Sequence, residues 1–138
     1  MTRLASSRPF IIAVDFDGTL VTHEYPEIGV EVPEAIRWLK ACELYGVRLI
    51  LWTIRDGEAL EQAVAWCRAH GLELWGVNEN PDQASWTKSP KVYASVYIDD
   101  AAFGVPMTYR ANGKRPFVNW REVGPHLVRM IEGARANS

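Results

Sequence analysis

Short apolar runs alternate along the chain with segments of helical periodicity, and this alternation restricts the fold more than any other feature. The runs 10–14 and 47–52 are almost entirely apolar, which is typical of strands buried on both faces of a parallel sheet. Between them, Ile36, Leu39 and Cys42 recur at helical spacing. Because parallel strands need crossover connections, the alternation predicts an α/β fold with a mainly parallel sheet and right-handed crossovers.

The rest of the chain continues this pattern. It predicts a second helix carrying Leu60, Val64 and Cys67, strands over 72–77 and 95–98, a hairpin around Asn112-Gly113, and a last helix carrying Val123, Leu127 and Ile131. Asn119 can cap this last helix, and Glu122 completes a pair that resembles a capping box. The polar segment 78–90 is expected to form a loop with one short helical turn. Residues after Gly133 are expected to fray.

The composition is that of one globular domain. The 138 residues are 48% hydrophobic and 23% charged, which is ordinary for a folded chain with its own core. We expect a single domain over residues 1–138, with a core of about 9–132. The net charge of −2 indicates no overall attraction to nucleic acid or to a membrane surface, although it leaves a local basic patch open.

Three features favour a cytoplasmic location. No run is long and apolar enough to span a bilayer. The segment Met1–Arg8 precedes no apolar core of the kind found in signal peptides. Cys42 and Cys67 fall at core positions of predicted helices, which favours buried thiols over a disulfide or a metal pair and therefore fits a reducing compartment.

Polar side chains follow three of the predicted strands immediately. These residues are Asp15 and Asp17, Thr53 and Arg55, and Asp99 and Asp100. Because the carboxyl ends of parallel strands meet at one edge of a sheet, we expect these groups to lie close together. Asp15 and Asp17 leave their strand on the same side, and Gly18 then allows a sharp bend.

This set of groups is suited to phosphoryl chemistry. An aspartate can attack phosphorus and form an acyl phosphate, and a second carboxyl can protonate the departing alcohol and later deprotonate water. Clustered carboxylates repel an anionic substrate, so a divalent cation is required, and Mg²⁺ prefers such oxygen ligands. The Thr53 hydroxyl and the backbone N–H groups of the turn behind it form an anion site at a helix start. A lysine can neutralise charge on the transferring oxygens.

The segment Asp15–Thr19 resembles the first motif of the haloacid dehalogenase (HAD) superfamily. Leu51–Thr53 resembles the second motif, and Lys91 followed by Tyr97–Asp100 resembles the third and fourth. The four motifs occur in order, and the segments 25–29, 51–57 and 89–91 are further similar to a group of small HAD hydrolases of bacteria and phages. A shorter likeness links Thr53-x-Arg55 and the acid pair to the phosphatase domain of polynucleotide kinase-phosphatases.

The resemblance implies a Rossmann-like, three-layer α/β/α fold and a role for each motif residue. Asp15 would be the nucleophile and a Mg²⁺ ligand, and Asp17 the general acid/base with its backbone carbonyl on the metal. Thr53 and Lys91 would hold the phosphate, and the substrate would also contact Gly18, Ile54 and Arg55. Asp99 and Asp100 would complete the metal site, with Asp100 favoured as the direct ligand. Since dehalogenases lack an acid at the position of Asp17, the resemblance favours a phosphatase.

Two features of the chain depart from other members of the superfamily. Ala101 and Ala102 follow the acid pair where related small hydrolases often have Arg, so Arg55 or another base would have to replace it. The first motif lies about a dozen residues before the first helix, which leaves room for a flap over residues 21–31 but for no folded cap domain. Uncapped members tend to act on large substrates or to close the site by oligomerising, so a homodimer is considered.

Some residues keep two interpretations. Lys88 competes with Lys91 for the phosphate, and the spacing to Asp99 favours Lys91. Arg55 is either a substrate contact or a solvated base at a helix start, and the flap residues His23, Tyr25 and Glu27 are interpreted as exposed in preference to substrate contacts.

The expected function is therefore that of a Mg²⁺-dependent phosphomonoesterase that acts through an aspartyl-phosphate on Asp15. The substrate is a phosphorylated compound, and nucleotides, nucleic-acid ends and phosphorylated metabolites are the candidates. The alternative is a catalytically weak binding or signalling protein that retains the phosphate and metal site. A receiver-like signalling domain is disfavoured, because receivers place the acid pair after the first strand.

Overall fold

Four strands form a parallel sheet in the order β3-β2-β1-β4. The structure is a computed structural model that describes residues 8–137, so the expectations for Met1–Arg8 lie outside it except at Arg8. The elements are β1 (Ile11–Val14), α1 (Ala35–Glu43), β2 (Arg48–Leu51), α2 (Gly57–Ala69), β3 (Leu74–Val77), a short 3₁₀ turn (Gln83–Ser85), β4 (Val96–Ile98), β5 (Met107–Thr108), β6 (Phe117–Val118) and α3 (Trp120–Ala136). The predicted α/β class and parallel sheet are confirmed.

The two faces of the sheet are covered differently. Ile12 and Val14 point toward a buried cluster to which all three helices contribute. Ile11 and Ala13 point to the opposite face, where the buried cluster draws on the irregular segment before β4 and on no helix residue among those described. The predicted three-layer arrangement is therefore not confirmed, because the crossover from β3 to β4 contains only the 3₁₀ turn.

The last helix begins where the sequence predicts and extends beyond its predicted end. The side chain of Asn119 accepts a hydrogen bond from the backbone N–H of Arg121 and donates one to Glu122, as a capping pair does. The helix continues through Gly133 to Ala136, beyond the point where fraying is expected. Gly124 lies against the ring of Trp38, so α3 packs closely on α1.

The hairpin and α3 hold the loop that follows β1. The predicted turn is present at Asn112-Gly113, with β5 and β6 antiparallel. The backbone N–H of Val118 donates to the carbonyl of Gly18 at 2.9 Å, and the indole N–H of Trp120 donates to the carbonyl of Thr19 at 2.7 Å. These contacts position the loop between β1 and α1, which has no helix and only isolated strand bridges over 15–34.

The remaining expectations concern the thiols and membrane segments. Cys42 and Cys67 are free and buried, as predicted. Burial raises the pKa of the Cys42 thiol to about 11 and that of the Cys67 thiol to about 12. Within residues 8–137, no helix has the length and apolar composition needed to cross a membrane.

Candidate functional site

The carboxyl ends of the four parallel strands bring polar residues to one edge of the sheet. The backbone N–H of Asp15 donates to the carbonyl of Ile98 at 2.9 Å, which joins the ends of β1 and β4. The backbone N–H of Thr53 donates to Oδ1 of Asn78 at 2.8 Å, which joins the ends of β2 and β3. Since β1 and β2 are neighbours, the structure places these four strand ends side by side, as the sequence predicts.

Three carboxylates form the centre of this edge. Asp15, Asp99 and Asp100 each place an oxygen within 4.8 Å of the others, a spacing that could hold a metal ion. The fully buried Thr19 joins two of them, because its hydroxyl donates to Oδ2 of Asp15 at 2.9 Å and accepts from the backbone N–H of Asp100 at 3.1 Å. The side chain of Asp17 lies outside this group.

The cluster is electrostatically unfavourable without a cation. Burial, and next the neighbouring Asp99, raises the pKa of Asp15 to about 8 from an ordinary value of 3.8. Burial also raises the pKa of Asp99. Within residues 8–137, no lysine or arginine pairs with Asp15, Asp99 or Asp100.

Asp17 is held by Arg55. The guanidinium Nε and Nη2 donate to the two carboxylate oxygens of Asp17, each at 2.8 Å. Arg55 is only 1% exposed, so its interpretation as a solvated base is wrong. The interpretation as a substrate contact is not supported either, because every donor of the guanidinium already has a protein acceptor.

The same guanidinium anchors the flap. Nη1 and Nη2 donate to the carbonyls of Pro26 and Glu27 at 3.1 and 2.8 Å, and Nη1 also reaches the carbonyl of Ala59 in α2. The rings of Phe16 and Tyr25 lie 5.0 and 5.1 Å from the guanidinium carbon. The side chains of Tyr25 and Glu27 are exposed, as expected. The single buried charge of Arg55 therefore joins the flap, the loop that follows β1, and α2.

His23 is not an exposed flap residue, contrary to expectation. Its Nε2 lies 2.7 Å from Oδ2 of Asp100, and both side chains are mostly buried. The backbone of Gly18 passes so close to this pair that a Cβ there would overlap both side chains. Gly18 also has a φ of 82°, which favours glycine. The glycine therefore allows the imidazole to approach the acidic cluster.

The remaining residues assigned to the substrate are Thr53, Ile54 and Lys91, with Lys88 as the alternative to Lys91. The hydroxyl of Thr53 accepts from the backbone N–H of Arg55 at 3.1 Å and keeps its own proton for a ligand. The side chain of Ile54 is 99% exposed. Lys91 lies 6.0 Å from the ring of Tyr97, and neither Lys91 nor Lys88 forms an ion pair in the described part of the chain.

Three residues of the site are absent from the sequence-based assignment. Thr19 lies within the first motif, but its role depends on the position of Asp100, which the local sequence does not reveal. Asn78 directly follows a strand, so the strand-end pattern that identified Thr53 could have identified it. His23 carries no such signal, because its contact with Asp100 joins residues that are 77 positions apart.

A solved structure of a conserved protein from Bacteroides thetaiotaomicron is similar to this chain along most of its length. The two chains are 37% identical with a TM-score of 0.72, and the match covers 89% of this chain and 93% of that one. No protein-family model and no curated protein matches the chain. The extent and identity of the structural match show that the chain belongs to the same family as this conserved Bacteroides protein.

Proposed function

We propose that the chain is a HAD-like, Mg²⁺-dependent phosphomonoesterase that works through phosphorylation of Asp15. The observation that carries this proposal is the cluster of Asp15, Asp99 and Asp100 at the ends of parallel strands, next to the turn at Thr53. A nucleophile, a cation site and an anion-binding turn are the parts that hydrolysis of a phosphate ester needs. The four motifs in the sequence support the same assignment.

The donor set at the cluster fits Mg²⁺. Its three members are all carboxylates, which are the hard oxygen ligands that Mg²⁺ prefers. The raised pKa of Asp15 reflects burial first and the neighbouring Asp99 next. Bound at these oxygens, the ion would neutralise the cluster and the phosphoryl oxygens of a substrate.

The proposed reaction has two steps. The first step requires Asp17 to carry a proton and to release one of its two hydrogen bonds from Arg55. An oxygen of the ionised Asp15 then attacks phosphorus, the bond from phosphorus to the ester oxygen breaks, and the departing oxygen takes the proton from Asp17. Water then attacks the phosphorylated Asp15 and gives a proton to Asp17, which releases inorganic phosphate and restores both residues. The Thr53 hydroxyl holds a phosphoryl oxygen through the proton that its own backbone contact leaves free.

Hydrolysis of p-nitrophenyl phosphate tests this proposal. We expect turnover that requires Mg²⁺ and falls at least about 1,000-fold in Asp15→Asn, since the nucleophile is lost. Asp82→Asn is the matched control, because Asp82 is an exposed acid outside the cluster. After acid quenching, mass spectrometry should find one phosphoryl group on the peptide that contains Asp15. Turnover without Mg²⁺, or full activity in Asp15→Asn, would contradict the mechanism.

A binding protein without turnover is the second candidate, and one observation favours it. Arg55 occupies both oxygens of Asp17, so Asp17 must exchange one of these hydrogen bonds before it can transfer a proton. A protein of this kind would bind Mg²⁺ and inorganic phosphate with dependence on Asp15 but would release no product. Isothermal titration with both ligands, together with the hydrolysis assay, distinguishes the two candidates.

A further inference from the structure

A cavity of about 290 Å³ adjoins the candidate site at the end of β3. Asn78 belongs to both, because it lines the cavity while its Oδ1 accepts the backbone N–H of Thr53 at 2.8 Å. The proposed reaction uses Thr53 to hold the phosphoryl group. The cavity is therefore placed to receive the group that is esterified to that phosphate.

One buried amide holds the wall of this cavity in shape. Gln83 is 8% exposed, and its Nε2 donates to the carbonyls of Lys91 and Ser89 at 2.7 and 3.4 Å. Its Oε1 accepts from the backbone N–H of Tyr93 at 2.8 Å. Because the 3₁₀ turn and the segment 89–93 are joined through a single side chain, the cavity is formed in advance of any ligand.

The residues that line the cavity carry side chains suited to binding hydroxyl groups. Glu79 and Lys88 line it, and neither has a side-chain partner within residues 8–137. The hydroxyl of Thr87 accepts from the backbone N–H of Ser89 at 3.2 Å and retains its proton for donation. The wall thus offers the Glu79 carboxylate as an acceptor, the Lys88 ammonium as a cationic donor and the Thr87 hydroxyl as a neutral donor. The opposite charges of Glu79 and Lys88 offset each other.

The same wall offers no surface for stacking. Among the described residues that line this cavity, none is aromatic. Trp75, Trp86 and Tyr93 instead line a neighbouring cavity of about 450 Å³, which shares Asn80 with the first. A nucleobase is commonly bound by stacking on an aromatic ring, whereas a polyol needs only hydrogen-bonding groups of both kinds.

We propose that the cavity bounded by Asn78, Glu79, Thr87 and Lys88 binds the polyol part of a sugar phosphate, which makes a neutral sugar the leaving group. This inference rests on the proposed phosphatase function, since it names the substrate class of that site. Glu79 accepts from sugar hydroxyls, and Lys88 and Thr87 donate to them.

Ribose 5-phosphate, adenosine 5′-monophosphate and p-nitrophenyl phosphate are the probes for this proposal. We expect kcat/KM for ribose 5-phosphate to exceed that for adenosine 5′-monophosphate by about tenfold or more, because the added base finds no stacking partner. Lys88→Met and Glu79→Gln should each lower the ratio of kcat/KM for ribose 5-phosphate over p-nitrophenyl phosphate by about fivefold, mainly through KM. Lys114→Met, which changes an exposed lysine near the hairpin turn, should leave this ratio as it is.

Each contrary result has a separate meaning. If p-nitrophenyl phosphate is hydrolysed with dependence on Asp15 but the nucleotide is preferred, the sugar-phosphate assignment is overturned and the phosphatase function stands. The same holds if the Lys88 and Glu79 variants leave the substrate ratio unchanged. If no probe is hydrolysed with dependence on Asp15, both proposals fail.

Discussion

Arg55 and Asp17 form a bidentate ion pair in which two nitrogens of the guanidinium each donate to a different carboxylate oxygen at 2.8 Å. The remaining donors reach the carbonyls of Pro26, Glu27 and Ala59, so the buried cation is fully hydrogen-bonded. Arg55 thus holds Asp17, whose side chain is not a member of the three-carboxylate cluster. The pair also links the flap to α2, which makes the shape of the site depend on Arg55.

Removing this cation should destabilise the whole fold. In Arg55→Met, Asp17 loses its partner and three carbonyls lose a donor, so we expect the free energy of unfolding to fall by about 3–5 kcal/mol. Urea unfolding followed by tryptophan fluorescence measures this change. Arg37→Met is the control, because Arg37 is mostly exposed and its pair with Glu34 is on the surface. A loss below about 1 kcal/mol in Arg55→Met would show that the pair is not a structural anchor.

The contribution of Asp15 to the stability of the metal-free protein should decrease as the pH rises from about 4 to about 8. The pKa of Asp15 is about 8 in the folded protein, against an ordinary value of 3.8, so the folded state binds more protons than the unfolded state between these values. The stabilising contribution of protonated Asp15 is thus complete below about pH 4 and is lost as the pH rises to about 8.

Thermal unfolding in the presence of a chelator tests this dependence. Asp15→Asn cannot ionise at this position, so the difference in Tm between the variant and the wild type should grow in favour of the variant as the pH is raised. Parallel pH profiles for the two proteins would show that Asp15 is not held in its protonated form.

The sequence is informative about the strand ends and uninformative about contacts made by the flap. Strand alternation follows from local hydrophobicity, so the positions of Asp15, Thr53 and Asp99 at one edge could be predicted. The contacts of Arg55 could not be predicted, because a cation at a helix start is unfavourable in isolation and its carboxylate and carbonyl partners are brought to it only by folding. The contact of His23 could not be predicted for the same reason, because its partner Asp100 follows β4 and lies 77 positions further along the chain.

The second helical layer, which is not seen among residues 8–137, has a similar explanation. The polar segment 78–90 predicts a loop with one short helical turn, and this local prediction is confirmed. The three-layer arrangement is implied by the resemblance and not by this segment. The local sequence pattern is therefore a better guide to the β3–β4 crossover than the resemblance is. Between β3 and β4 the chain forms a 3₁₀ turn and no α-helix.

Mg²⁺ should stabilise the protein through the carboxylate cluster. At a Mg²⁺ concentration of 100 times its Kd, binding to the folded state alone adds about 2.7 kcal/mol to the free energy of unfolding. We expect Mg²⁺ to raise the Tm of the wild type and of Glu61→Gln, a variant of an exposed acid on α2, and to have a much smaller effect on Asp99→Asn. An equal increase in all three proteins would place the Mg²⁺ effect outside the cluster.

A side chain introduced at position 18 should disturb the carboxylate cluster, although none of the three carboxylates is replaced. Gly18 has a φ of 82°, so alanine costs about 1–2 kcal/mol at this position for backbone reasons alone. Its Cβ would also overlap His23 and Asp100, which must then separate or move. We expect Gly18→Ala to lower both the free energy of unfolding and the affinity for Mg²⁺, the latter by about tenfold as is usual when a group that orients a metal ligand is displaced.

Gly113→Ala separates these two effects. Gly113 has a φ of 71° in the hairpin turn, and no atom beyond its chain neighbours lies within 4 Å of a Cβ built there. It should therefore show the backbone cost and retain the Mg²⁺ affinity of the wild type, as measured by isothermal titration. If Gly18→Ala also retains that affinity, then the position of His23 against Asp100 is not needed for the metal site, and the close approach at Gly18 serves only to fold the loop after β1.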